Sequence, residues 1–141
     1  IRGYKFEGYQ ACISDMKSYF HENMKLLDEA FFFNDTATTE IYTKIRDDNP
    51  TRYIKGAKVS NVMAADGCVI EGEVENSVLF RGVKIAKGAK VKNCVLMQDT
   101  VVGEGANLEY VITDKNVTIT ANKALAGTDT FQVFVAKNQT V

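Results

Sequence analysis

The sequence predicts a mainly β fold, a single-stranded parallel β-helix of about four coils preceded by one amphipathic α-helix, and three observations carry that prediction. The first is a 17-residue repeat, built as 5+6+6, that runs from Val59 to Ala124. It stacks Val59, Val74, Val91 and Leu108 in one column, Ala64, Leu79, Leu96 and Thr113 in a second, and Ile70, Ile85, Val102 and Ile119 in a third. Small residues recur beside them, as in Cys68, Val83, Thr100 and Val117, or in Ala89 and Ala106. An aliphatic residue every five or six positions suits a three-sided solenoid better than a helix or a hairpin stack. The second observation is a set of corner columns: Asn61, Asn76, Asn93; Gly67, Gly82, Asp99, Asn116; and Gly88, Gly105, Asn122. Glycine, with asparagine and aspartate behind it, reaches positive φ at low cost, as tight turns between short parallel strands require. The third is a short amphipathic segment ahead of the repeat.

That segment, residues 13–27, places Ile13, Met16, Phe20, Met24 and Leu27 on one helical face, with Ser14 as N-cap and Asp15 in the first turn. Nothing nearby in the sequence covers this face, so its expected partner is a domain upstream. Residues 31–56 read as a linker. Within it, 31–43, from Phe31-Phe32-Phe33 to Thr43, match neither period and resemble translated sequencing-adapter sequence, so no functional residue is placed there. Lys44 to Lys55 is polar and contains the only proline, Pro50, and is expected to run extended into the first coil. Residues 57–141 form the β-helix domain, with Val74, Leu79, Ile85, Val91, Leu96, Val102 and Leu108 pointing inward. Past the last coil Phe131, Val133 and Val135 alternate with Gln132 and Phe134, which predicts a strand that closes the open end.

Composition narrows the partners. Seventeen basic and 18 acidic residues among 141 leave a net charge of −1 with no polybasic block, which argues against nucleic acid and anionic membranes. No apolar run is long enough to span a bilayer, and no secretory leader is evident. The first residue is Ile1, and the chain is read as a piece of a longer protein. Of the three cysteines, Cys68 and Cys94 occupy inward columns and read as small packing residues, while Cys12 lies outside the repeat. Reduced thiols fit a cytoplasmic location.

Catalytic chemistry finds few residues to use. Acyltransferases built on such coils use a histidine base, and a β-helical carbonic anhydrase needs three histidines around a metal. The one histidine, His21, lies on the predicted helix and reads as a surface or domain-contact residue. The glycines repeat with the coils and form no phosphate loop, and Asp99 stands in a corner column. Arg81, Lys84, Lys87, Lys90 and Lys92 crowd the second and third coils, a candidate anion surface or simply a solvated face.

The coil pattern resembles the hexapeptide-repeat family, whose solenoids are left-handed, against the usual rule for parallel crossovers. The order of parts goes further. Gly8-Tyr9-Gln10-Ala11-Cys12-Ile13, then Ser18-Tyr19-Phe20-His21-Glu22-Asn23-Met24-Lys25-Leu26-Leu27, Asn49-Pro50-Thr51-Arg52-Tyr53, and the coils VENSVLFRGVKI and VKNCVLMQDTVVGEGANLEYVITDKNV are similar to the C-terminal third of bacterial glucose-1-phosphate adenylyltransferase (ADP-glucose pyrophosphorylase). The resemblance implies that residues 1–30 hold the C-terminal helix of a nucleotidyltransferase domain, and that the full enzyme complex uses Mg²⁺. The family's metal-holding Asp aligns with Cys12, and a thiol is no substitute for a hard oxygen ligand. The chain therefore resembles the regulatory, non-catalytic subunit, expected to be inactive alone, to bind no cofactor itself, and to assemble with the catalytic subunit into a hetero-oligomer. Lys44, Arg46 and Arg52 are the candidates for a phosphorylated effector or for interdomain contacts, since guanidinium groups suit phosphate. Two alternatives stand beside this reading: a fragment of a catalytically active sugar-nucleotide pyrophosphorylase, and a hexapeptide acyltransferase.

Overall fold

The computed structural model describes residues 2–28 and 47–141. One α-helix, α1 (Met16–Lys25), precedes thirteen short strands. These are β1 (Arg52–Tyr53), β2 (Lys58–Ala64), β3 (Val69–Ile70), β4 (Glu73–Leu79), β5 (Lys84–Ile85), β6 (Lys90–Lys92) and β7 (Val95–Leu96), followed by β8 (Val101–Val102), β9 (Asn107–Glu109), β10 (Val111–Thr113), β11 (Thr118–Ile119), β12 (Ala124–Ala126) and β13 (Val133–Val135). Every strand pairing is parallel. The chain coils into a three-sided β-helix. Face one is the five-stranded sheet β1-β3-β5-β8-β11. Face two stacks the first halves of β2 and β4 with β6, β9 and β12, and face three stacks their second halves with β7, β10 and β13. Four turns carry the chain from β1 to β11, in steps of 17, 15, 17 and 17 residues.

The inward columns are the predicted ones. Val74, Leu79, Ile85, Val91, Leu96, Val102 and Leu108 are all buried in one core with Cys68, Val83, Ala89, Ala106, Val117 and Ile119. Burying each large aliphatic side chain stabilises the fold by about 1.5–3 kcal/mol. Val59 alone of its column is 38% exposed, because it stands in the first rung with no described rung above it. All ten corner residues predicted from the sequence adopt the left-handed region, with φ between 47° and 78°.

Polar groups inside the prism find partners along the stack. The Ser77 hydroxyl donates to Glu75 O (2.8 Å) and accepts from Cys94 N–H (3.1 Å), and the Thr100 and Thr113 hydroxyls meet at 3.0 Å. Cys68 and Cys94 are buried packing residues, and desolvation pushes the Cys94 thiol up to about 12.

Three local expectations change. The helix N-cap is Asp15, not Ser14: Asp15 Oδ1 accepts from Ser18 N–H (2.7 Å), and the Ser18 hydroxyl accepts in turn from Asp15 N–H (3.1 Å). Carboxylates cap as well as hydroxyls do. At the end of the predicted linker, Arg52 and Tyr53 already form β1 in register with Val69 and Ile70, so the first rung begins before residue 57. At the C-terminus the predicted closing strand is β13, stacked on β10 of the last predicted coil with Val111 facing Val133. That step is 22 residues, and the excess forms a tight turn at Thr128–Phe131 in which Thr128 N–H donates to Phe131 O (2.8 Å). The turn inverts the predicted alternation at its first two positions, where Phe131 is exposed and Gln132 is buried with its amide donating to Asp129 O (2.6 Å), while Val133 and Val135 face the core and Phe134 is exposed as predicted.

Candidate interdomain surface and candidate effector residues

The central part of the helix face predicted to await an upstream domain, at Phe20 and Met24, is covered by the solenoid. Phe20 is 2% exposed and packs against Val95 and Ile112, with Tyr19, Met24 and Tyr110 around it. The receiving surface is an outward stripe on face three, Met63, Val78, Val95, Ile112 and Phe134, each one residue before an inward one and stacked in register. The signal was in the sequence: Val78-Leu79 and Val95-Leu96 are apolar at both alternating positions, the pattern of a strand buried on both sides. The inward columns absorbed the repeat analysis, and the neighbouring stripe went unread.

Tyr110 marks the change from solenoid to docking surface. It follows Asn61, Asn76 and Asn93 in the same corner, where the asparagine amides form a ladder, Asn61 Nδ2 to Asn76 Oδ1 at 2.8 Å and Asn76 Nδ2 to Asn93 Oδ1 at 2.6 Å. At the next position Tyr110 holds φ at 51°, a conformation costly for a bulky side chain, and its ring lies 5.9 Å from that of Phe20. His21, read as a surface or contact residue, lies beside it: its Nε2 stands 3.1 Å from Asp129 Oδ1 in the C-terminal turn, and its ring is edge-on to Phe20 at 5.7 Å. Burial raises the Tyr19 hydroxyl above its ordinary value, and the Asn23 amide donates to Tyr19 O at 2.9 Å. Ile13 and Met16, predicted on the same face, remain exposed at its N-terminal end.

Next to α1 lies an apolar groove of about 560 Å³, lined by Leu26, Met63, Val78, Phe80 and Met97 and rimmed by Arg81. Phe80 is a corner residue left 37% exposed.

Of the candidate effector residues only Arg52 is among the described residues. Arg52 is exposed on the first rung of face one. Lys44 and Arg46 lie outside the described residues, as does the 31–43 segment. The lysine-rich region divides. Lys84 projects from face one, Lys87 from a corner, and Lys90 and Lys92 from face two. Lys92 pairs with Glu75 at 3.4 Å. Lys58, 2.7 Å from Glu73, holds that carboxyl below the usual carboxylate range, with a smaller contribution from Lys90. Asp99 is a corner residue at φ 57°, as read.

Among the described residues no group of three or more His, Cys, Asp or Glu side chains could hold a metal, and Cys12 is an exposed thiol. The donor set does not fit the Mg²⁺ that the resemblance implies for the full enzyme, and no catalytic step through it is derived for this chain. No described helix is long and apolar enough to cross a membrane.

Comparison with known proteins agrees with this architecture. The chain is 44% identical over 126 residues to the glycogen biosynthesis protein GlgD of Bacillus subtilis, covering 89% of this chain and 37% of that protein. It is 35% identical over 122 residues to a glucose-1-phosphate adenylyltransferase of Acetivibrio thermocellus, covering 84% of this chain and 28% of the relative. A glucose-1-phosphate adenylyltransferase of Bacillus mycoides gives 35% over 121 residues, 84% and 32%. The chain thus spans about a third of the length of these relatives. A family model described as GlmU-like, C-terminal hexapeptide matches residues 44–132, which takes in the first four rungs and most of the fifth. By that match, and by stacked coils with left-handed corners that bear it out residue by residue, the chain belongs to the GlmU-like C-terminal hexapeptide family.

Proposed function

We propose that this chain is a regulatory and assembly module in glycogen biosynthesis, itself non-catalytic, working with a glucose-1-phosphate adenylyltransferase that makes ADP-glucose and diphosphate from ATP and glucose 1-phosphate. The observation that carries the reading is the higher identity to GlgD, 44% against 35% for the adenylyltransferases, over a match that takes in helix and solenoid together. Cys12 supports it, since that position aligns with a metal-holding carboxylate in the catalytic subunit.

The structure suggests how such a module works. Helix α1 docks on face three through one buried aromatic, so it can transmit the position of an upstream domain to the solenoid. The solenoid is rigid because every rung shares hydrogen bonds and core contacts with its neighbours. The partner is a catalytic subunit in a cytoplasmic hetero-oligomer, and the effector is a phosphorylated metabolite held by Arg52 with Lys44 and Arg46.

The test is reconstitution. The chain alone should form no ADP-glucose, and the full-length protein should alter the activity or effector response of its catalytic partner. Turnover by the chain alone, free of contaminating enzyme, would favour the alternative of an active pyrophosphorylase. Unchanged activation constants and assembly in Arg46→Ala and Arg52→Ala would remove the effector role from these residues.

A further inference from the structure

Face two is banded by charge, and each band has a single sign. Its outward side chains are Lys58 and Ser60 on the first rung, Glu73 and Glu75 on the second, Lys90 and Lys92 on the third, and Asn107 and Glu109 on the fourth. The corner that leads into the face repeats the signs, with Lys55, Glu71, Lys87 and Glu104 on the same four rungs and Lys123 on the fifth. From the first rung down, the charge runs plus two, minus three, plus three, minus two, and plus one on the fifth. Over the first four rungs the series changes sign on reversal about the gap between the second and third rungs.

Only part of this charge is used within the chain. Lys58 pairs with Glu73 and Lys92 with Glu75, whereas Lys87, Lys90, Glu104 and Glu109 make no ion pair among the described residues. Between the rows lies a shallow trough of about 340 Å³ with Val74 and Val91 backbone in its floor, room for side chains from a facing surface.

We propose that face two is a self-association surface that takes a second copy of this chain, the two solenoids antiparallel and the twofold axis along the strand direction between the second and third rungs. Two faces can meet about a twofold in the plane of contact in two ways. An axis along the solenoid sets each rung against itself, acid on acid and base on base, and is repelled. An axis along the strands reverses the order of the rungs, so that Glu73 faces Lys90 of the partner subunit, Glu75 faces Lys92 of the partner subunit, and the first rung faces the fourth. The match is closest at the two central rungs; on the outer ones Lys58 comes opposite Asn107 of the partner subunit and Glu109 opposite Ser60 of the partner subunit, and the fifth rung lies beyond the overlap. Five rungs at about 4.8 Å and strands three residues wide make a small patch, so the dimer belongs to the weak, salt-sensitive end of protein interfaces.

The test uses the 141-residue chain in sedimentation equilibrium at low and high salt, with circular dichroism to check the fold. Wild type should dimerise at low salt and dissociate in about 1 M salt, where screening acts within about 3 Å. Glu73→Lys/Glu75→Lys and Lys90→Glu/Lys92→Glu should each be monomeric, since each makes both central rungs alike in sign. An equimolar mixture of the two variants should form a heterodimer, and the variant carrying all four substitutions should dimerise again. Should a variant unfold, the salt titration of wild type still decides. A wild type still monomeric at about 1 mM, a dimer indifferent to salt, or a dimer that survives either double substitution overturns the proposal.

Discussion

The interior of the solenoid and the seat of α1 on its outer wall are both apolar, yet they are held in different ways. The interior is a periodic column in which each of Val74, Val91 and Leu108 touches a copy of its own environment one rung away. The seat is a single event, one Phe20 set against Val95, Ile112 and Tyr110 on a stripe that repeats while the helix does not. Loss of one interior residue is therefore felt through neighbouring rungs, whereas loss of the seat frees a helix and leaves the rungs standing.

The largest expected effect comes from breaking the interior. Val91→Asp places a carboxylate where no hydrogen-bond donor waits, at a cost of several kcal/mol against a total stability of about 5–15 kcal/mol. The β signal in circular dichroism should be lost, and a variant that keeps it with a native melting curve contradicts the inward column. Next is Phe20→Ala, worth about 3 kcal/mol at the seat. Hydrogen exchange should rise throughout Met16–Lys25 while the strands keep their protection. Equal loss of protection in both regions means the two are one cooperative unit.

Tyr110→Asn sharpens the boundary between them. It extends the asparagine ladder and relieves a bulky residue at φ 51°, a gain of about 1 kcal/mol for the rungs, while removing an aromatic contact of about 1 kcal/mol from the seat. The solenoid should melt slightly higher and the helix should exchange faster, and movement of both in one direction refutes the division. The smallest effect is at the helix cap. The backbone N–H of Ser18 holds the Asp15 carboxyl below its ordinary 3.8, so the folded value lies under the unfolded one. Its contribution is then complete above pH 3.8 and fades as pH falls through the folded value. Helix protection in Asp15→Ala should be lower than wild type at neutral pH, and the two should converge in acid.

What could be read in advance follows the same line. The inward columns and all ten corners were legible, because a solenoid asks the same thing of the chain at each turn and repetition makes the demand visible. The outward stripe Met63, Val78, Val95, Ile112 and Phe134 is equally periodic, but the inward columns alone do not say that its outer side is covered. Charge on face two was noticed as a crowd of lysines. Its order by rung became plain only when the register placed Glu73 and Glu75 beside Lys90 and Lys92.

By itself, then, the sequence determined the rungs, their corners and the residues that fill them, because parallel stacking forces equivalent residues into the same environment at a fixed interval. Only the tertiary structure decided where α1 lies, that Asp15 caps it, and that Asp129 in the C-terminal turn meets His21. It also decided that β13 reaches β10 by a step of 22 residues. These features join segments far apart in the chain through single contacts, and a contact made once leaves no period to read.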